Sequence, residues 1–428
     1  MTRFCRNRVL AYIRLLSIII LLTKVSIANA EGNRLHKACS DSTLIAYLNE
    51  NNIHITSHNE VKILKSGHEK FIDLFQQIEK AKHHIHLEYF NFRNDSIANA
   101  LFEILERKAK EGVKVRAMYD AFGNSSNNQP LKKKHIKAIQ EKGIEIVKFD
   151  PIRFPWINHA FHRDHRKIVV IDGKIGYTGG MNIADYYIEG LPEIGDWRDM
   201  HIRIEGTAVN DLQDIFLDMW NKCTKQEIGG AAYYPIQNDT TNCNLSDKSV
   251  AIVDRYPRKD PKTMREVYAH AIENAENKVQ IINPYFTPVK RIKKAIKKAA
   301  DKGVKVEIMI PGKSDIGFTP DAAMYIANQL RKKGVDIYIY NGGFHHSKIM
   351  MVDSLYCTVG STNLNSRSLR FDYEVNAFIF DKETTDELIQ IFREDKENST
   401  LLTAEIYKER TTWKKFIGWF AHLFTPFL

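Results

Sequence analysis

Ala109-Lys110-Glu111-Gly112-Val113-Lys114-Val115 returns as Ala300-Asp301-Lys302-Gly303-Val304-Lys305-Val306, and this echo decides the fold. Each copy follows a basic helical stretch and leads into an apolar run, Arg116–Tyr119 in the first and Glu307–Ile310 in the second. Further on, Lys142-Gly143-Ile144-Glu145-Ile146 matches Lys333-Gly334-Val335-Asp336-Ile337 at the same offset. Upstream, Ile85–Phe90 parallels Val279–Phe286. Each unit reads helix, strand, helix, Gly, strand, helix, Gly, strand. Alternating strands and helices predict α/β layers around a largely parallel sheet. The glycines are expected to end the helices in the left-handed conformation. The units are domain-sized, so the expectation is a pseudo-two-fold pair of α/β/α domains with ligands gathered at the strand ends between them.

The chain has 428 residues, 43% hydrophobic and 27% charged, with only 12 Pro. That composition excludes a disordered, collagenous or disulfide-scaffold protein. The net charge of +10 suits an anionic partner, nucleic acid or acidic lipid. Part of that charge sits in Arg3, Arg6, Arg8 and Arg14, ahead of the apolar run Leu15–Leu22, and in Lys24, between that run and the small-residue pattern Ala28-Asn29-Ala30. The run is short for a membrane span. It reads as an export signal cut after Ala30, with an uncleaved anchor as the alternative. Removing residues 1–30 leaves a charge of about +5, a weak case for nucleic acid. Outside that segment lie Cys39, Cys223, Cys243 and Cys357. Export permits a disulfide, for which Cys223 and Cys243 flank a polar loop, although spacing does not fix connectivity. No Cys/His cluster has zinc-site spacing, so no metal is expected.

A third repeated block carries the chemistry. His165-Arg166-Lys167 precedes Ile168–Ile171 and Asp172, and His346-Ser347-Lys348 precedes Ile349–Val352 and Asp353. Gly179 and Asn182 follow the first block, Gly360 and Asn363 the second, at equal spacing. With 16 histidines, one His-x-Lys-x4-Asp arises by chance roughly one time in ten. Two copies with the same tail inside a repeat do not. Residues two apart on a strand share a face, so each His stands beside its Lys. Two half-sites supply two His, two Lys and two Asn around one point. That set suits a phosphoryl group: one imidazole attacks phosphorus, the other protonates the leaving oxygen, and Lys and Asn hold the remaining oxygens.

The sequence resembles the phospholipase D superfamily, and within it the bacterial cardiolipin synthase branch, over roughly residues 60–428. The likeness rests on Ile85-His86-Leu87-Glu88-Tyr89-Phe90, His165 to Asp185, Trp197-Arg198-Asp199 with Arg203-Ile204-Glu205-Gly206, Asn283-Pro284-Tyr285-Phe286-Thr287-Pro288, and Phe344 to Glu374. The resemblance implies phosphatidyl transfer between two phosphatidylglycerol molecules through a phosphatidyl-histidine, without metal or cofactor. By analogy His165 is the nucleophile and His346 the general acid and base, roles that pseudo-symmetry allows to exchange. The family pattern pairs each His with a carboxylate downstream of the opposite motif, and Asp199 and Glu374 fit. Asp172 and Asp353 are expected to hold motif loops without touching phosphate. Asn182, Ser361 and Asn363 are the expected substrate contacts. The implied partners are phosphatidylglycerol and an anionic membrane surface, at an exported or membrane-associated location, with no nucleic acid. An exported phospholipase D releasing phosphatidic acid and a nucleic-acid phosphodiesterase are the alternative enzymes.

Two departures from the pattern stand out. The first motif has Gly180 where the second keeps Ser361, so one hydroxyl donor is missing. The branch usually carries two membrane-spanning helices ahead of the catalytic pair, whereas one short export-like segment stands here. His162 and His345 read as pocket-wall residues, with substrate contact as the alternative. The first half carries an insertion near Pro151–Phe161, with Phe154, Pro155, Trp156 and Ile157, that either meets lipid or packs over the interface. The tail Trp413–Leu428 is rich in aromatics beside Lys414 and Lys415, and lies in a membrane interface or docks on the protein. The expected divisions are 1–30 signal or anchor, 31–60 lead-in, 61–228 and 229–410 catalytic halves, and 411–428 tail.

Overall fold

The computed structural model describes residues 42–150, 161–235, 247–317 and 319–425. The segment 1–30, Cys39, Cys243 with its pairing to Cys223, and Phe154 to Ile157 of the insertion lie outside the described residues. The strands of the first half are β1 (Ile55–Leu64), β2 (His84–Tyr89), β3 (Lys114–Asp120), β4 (Glu145–Phe149), β5 (Lys167–Ile171), β6 (Ile175–Gly179), β7 (Trp197–Arg198) and β8 (His201–Gly206). The second half has β9 (Lys248–Arg255), β10 (Lys278–Ile282), β11 (Lys305–Pro311), β12 (Asp336–Tyr340), β13 (Phe344–His345), β14 (Ile349–Val352), β15 (Tyr356–Gly360), β16 (Glu374–Phe380) and β17 (Ser399–Leu401).

Among the described residues, fifteen of these strands form one sheet in the order β17-β12-β11-β10-β14-β15-β16-β9-β1-β8-β6-β5-β2-β3-β4. The halves meet where β1 pairs antiparallel with β9, and the order on one side mirrors the order on the other. The expectation of a largely parallel sheet is corrected. Within this sheet the parallel pairings among the described residues are β2-β3-β4 and β10-β11-β12, whose neighbouring strands are joined by helical crossovers. The motif strands are hairpins, β5 with β6 and β14 with β15, and hairpins pair antiparallel.

The helices form for local reasons. Helix Lys290–Asp301 buries Ile292, Ala295, Ile296 and Ala299, the stripe that a 3.6-residue period puts on one face, and leaves its lysines outside. Gly112, Gly143, Gly303 and Gly334 end their helices at positive φ, between 82° and 92°, as the repeat predicts. Helices Val209–Thr224 and Lys382–Glu397 pack on one face of the sheet. Their Val209, Leu212, Leu388 and Phe392 enter a core that also holds Ile168, Val250 and Val375, so both halves share it. The opposite face carries a separate core for each half. Residues 42–50 are helical, and Leu44 and Leu48 pack into the core of the second half, not the first.

Each motif strand ends in a tight turn anchored by its aspartate. The Asp172 carboxylate accepts the backbone N–H groups of Lys82, His83 and His84 at 2.7–3.0 Å. Asp353 does the same for Glu276, Asn277 and Lys278 at 2.7–2.8 Å. Both aspartates adopt positive φ. These contacts clamp the start of β2 and of β10 to the far end of its neighbouring motif strand. Replacing a charged acceptor of three N–H groups costs about 2 kcal/mol. Asp172→Asn and Asp353→Asn are each expected to lower unfolding free energy by about that amount, measured by urea denaturation.

Candidate active site

β5 begins at Lys167 and β14 at Ile349, so each His-x-Lys lies on or just before the strand start. The extended lead-ins are held by backbone contacts across the two halves. The His165 N–H donates to the Tyr373 carbonyl at 3.0 Å, and Tyr373 N–H donates back to Arg163. The His346 N–H donates to the Arg198 carbonyl at 2.6 Å, where β13 pairs parallel with β7. Tyr373 precedes Glu374, and Arg198 precedes Asp199. Each bridge therefore delivers a carboxylate to the histidine of the other half. Glu374 Oε1 lies 3.1 Å from His165 Nδ1, and Asp199 Oδ2 lies 2.6 Å from His346 Nδ1. With Nδ1 engaged, Nε2 of each ring is the nitrogen left to act on a substrate.

The rings are walled by aromatics. Phe90 packs edge-on to His165, and Trp197, Phe344 and Tyr285 surround His346. Lys167 Nζ donates to the His165 carbonyl at 2.6 Å. Lys348 Nζ donates to the His346 carbonyl and lies 2.9 Å from His346 Nδ1. Burial, reinforced by the Lys167, Lys348 and Arg367 charges, holds the His165 imidazole well below its ordinary pKa. Burial followed by the two lysines and His165 does the same to His346. Burial lowers Lys167 to about 7 and Lys348 to about 8 against the pull of the carboxylates. It raises Glu374 to about 7 and Asp199 to about 6. The result is a neutral, unprotonated pair of imidazoles between two cations that release protons easily. An arriving phosphodiester anion would offset the lysine charges that depress both histidines.

Ser361 is placed differently from the sequence expectation. Its hydroxyl donates to Glu374 and accepts the Val375 N–H, so it fixes the carboxylate and does not stand free as a phosphate donor. The corresponding Gly180 has a steric reason. A Cβ there would sit 2.2 Å from Asp199 Oδ1, so the first half has no room for the serine. Asn182 and Asn363 are both 5% exposed, and each has a side-chain carbonyl oxygen without a hydrogen-bond partner. The Asn182 amide nitrogen reaches the Tyr187 hydroxyl at 3.4 Å. His345 is buried against Asp395 at 3.0 Å, and His162 Nδ1 contacts the Phe371 carbonyl at 2.8 Å.

Two residues escaped the sequence reading. Arg367 ion-pairs with Asp372 at 3.0 Å, keeps one buried guanidinium nitrogen without a partner, and adds a third positive charge beside His165. Lys70 is fully buried, donates to the Asn182 carbonyl at 3.0 Å and lies over the Tyr89 ring. Nothing in its neighbourhood in sequence marks it, because its partner is 112 residues away. Arg367 lies within the second motif block but looks like any solvated helix cation.

A family model described as "Cardiolipin synthase, PLD-like domain" matches residues 74–220 and 268–396. Cardiolipin synthase from Listeria monocytogenes serotype 4b is 38% identical over 377 residues, 87% of this chain and 76% of that protein. Cardiolipin synthase 1 from Bacillus cereus is 33% identical over 418 residues, 93% of this chain and 80% of that protein. The crystal structure of phosphatidylserine synthase from Haemophilus influenzae Rd KW20 superposes with a TM-score of 0.68 at 17% identity, covering 90% of this chain and all of that one. Its likeness concerns the fold alone. The duplicated His-Lys blocks fall inside the two matched ranges, and the chain belongs to the cardiolipin synthase family of phospholipase D-like proteins.

Proposed function

We propose that the chain is a cardiolipin synthase that joins two phosphatidylglycerol molecules and releases glycerol. The observation that carries this reading is the crossed pairing of His165 with Glu374 and of His346 with Asp199, which leaves two Nε2 atoms and two lysines for one phosphodiester. In the first step the bound phosphodiester anion offsets the lysine charges so that His346 enters as the imidazolium; His165 Nε2 attacks the donor phosphorus, the bond to the glycerol oxygen breaks, and His346 gives that oxygen its proton. In the second, a hydroxyl of another phosphatidylglycerol attacks phosphorus, His346 takes its proton, and the P–N bond to His165 breaks. Lys167, Lys348 and the asparagines Asn182 and Asn363 hold the non-bridging oxygens. Asp199 and Glu374 stabilise the imidazolium that each histidine becomes. Asp172 and Asp353 serve the scaffold. The division into halves at 228/229, with a separate tail from 411, belongs to the same reading.

The tail supports work at a membrane surface. Helix Thr412–Leu423 docks through Gly418 and Ala421 onto helix Thr319–Arg331. Its other face exposes Trp413, Phe416, Trp419, Phe420 and Leu423, with Trp413 at 66%. Among the described residues no helix is long and apolar enough to cross a membrane. Aromatics with flanking lysines favour the interfacial zone of an anionic bilayer. Read as an export signal, residues 1–30 favour a bilayer met at the outer face of the cell membrane.

Residues 31–428 on phosphatidylglycerol vesicles are expected to yield cardiolipin and free glycerol by mass spectrometry. His165→Ala and His346→Ala should each lose at least roughly a thousandfold in turnover. Phosphatidic acid as the main wild-type product would replace transfer by hydrolysis.

Lysines near 7 and 8 are charged below those values and lose their protons above them. Phosphate binding should therefore weaken as pH rises from 7 to 9, seen as a rising KM in a pH profile.

Combined Trp413→Ala, Trp419→Ala and Phe420→Ala replacement should reduce vesicle binding in flotation assays by about tenfold or more. Turnover on substrate dispersed in detergent should stay close to wild type.

A further inference from the structure

A cavity of about 310 Å³ lies beside the reacting centre, at the end of β4 and against helix Val209–Thr224. Lys148, Lys222, Lys225 and Arg258 line it, with Phe149 and Tyr373 as its apolar wall. Its one carboxylate, Asp150, is engaged by Arg163 at 3.3 Å. Among the described residues no carboxylate pairs with Lys148, Lys225 or Arg258. Lys222 donates to the Tyr256 and Tyr373 hydroxyls at 2.7 and 3.0 Å, which leaves one of its three N–H groups. Four cations converging on one cavity without matching acids repel one another, and the arrangement is relieved by an anion. The volume suits a small polar group, and the aromatic wall suits the carbons attached to it.

The cavity adjoins the chemistry. His162 lines it and stands three residues before His165, a span of at most about 11 Å. Tyr373 lines it, and the carbonyl of the same residue holds the His165 N–H. A transferase must also prefer a lipid alcohol over water and over the glycerol it has just released. The acceptor lipid has a phosphate that both of those competitors lack, and a site built for that phosphate would supply the preference.

We propose that this cavity binds the phosphate of the acceptor phospholipid while its hydroxyl enters the two-histidine site. The assignment rests on the transfer reading above.

The test compares cardiolipin formation with exchange of labelled glycerol into phosphatidylglycerol, which uses the same donor step but an acceptor without phosphate. In the full chain, Lys148→Gln, Lys225→Gln and Arg258→Gln together should lower the ratio of cardiolipin formation to glycerol exchange at least tenfold. Lys148→Arg with Lys225→Arg, Arg258 retained, should keep the wild-type ratio. Inorganic phosphate should inhibit cardiolipin formation by wild type and lose that effect in the triple variant. A wild type that makes cardiolipin, with the ratio unchanged in the triple variant or both activities lowered equally, overturns the proposal alone. Phosphate binding by calorimetry that the variant abolishes without moving the ratio assigns the cavity to soluble phosphate and also overturns it. A wild type that makes no cardiolipin removes the transfer reading itself, and the acceptor assignment with it.

Discussion

Two backbone hydrogen bonds between the halves hold the site together, His165 N–H to Tyr373 and His346 N–H to Arg198. Each fixes a histidine lead-in alongside the residue that introduces the opposite carboxylate. Strand geometry then dictates the rest. The next side chain on one lead-in, Glu374 or Asp199, reaches the imidazole on the other. The crossed pairing follows from the register of two short backbone segments and needs no long flexible side chain to search for its partner. The shared core beneath, with Ile168, Val250 and Val375 in one cluster, keeps that register from sliding.

The electrostatics are costly by design. Two lysines and two carboxylates are buried around two imidazoles, with the half-buried Arg367 beside them, and each buried ion loses much of its hydration. The fold lowers that cost by letting the ions meet mutually, so the lysine ammonium groups spend N–H donors on the histidine carbonyls. The remaining imbalance appears as shifted proton affinities, lysines lowered and carboxylates raised toward neutrality. Groups so tuned exchange protons readily near neutral pH, which general acid–base chemistry requires. Gly180 and Ser361 show how the two half-sites reach the same end by different means. One half pushes Asp199 against bare backbone, and the other ties Glu374 down with a hydroxyl.

Much of this was legible in the chain. The Gly112/Gly303 and Gly143/Gly334 echoes located the helix ends because a left-handed cap leaves a glycine in sequence. The His-x-Lys blocks were visible because short-range spacing encodes which side chains share a face. The parallel sheet was over-read, since helical crossovers are conspicuous while hairpins such as Ile168–Gly179 look like ordinary apolar runs. Lys70 and Arg367 were missed for a different reason. Their roles depend on partners far away in sequence or on burial, and neither leaves a periodic trace. Ser361 was read as a phosphate donor because a hydroxyl next to a motif glycine carries no sign of which neighbour it will bond.

The crossed pairing also bears on the order in which the protein is made. His165 and Glu374 are separated by 209 residues. A chain emerging from the ribosome has its first histidine long before the carboxylate that orients it exists. Taken alone, the first half lacks Glu374, the carboxylate that meets His165 Nδ1. Both crossed pairs exist only where the two halves are together, with β13 beside β7. A chain cut short before Glu374 therefore lacks one of the two crossed pairs altogether.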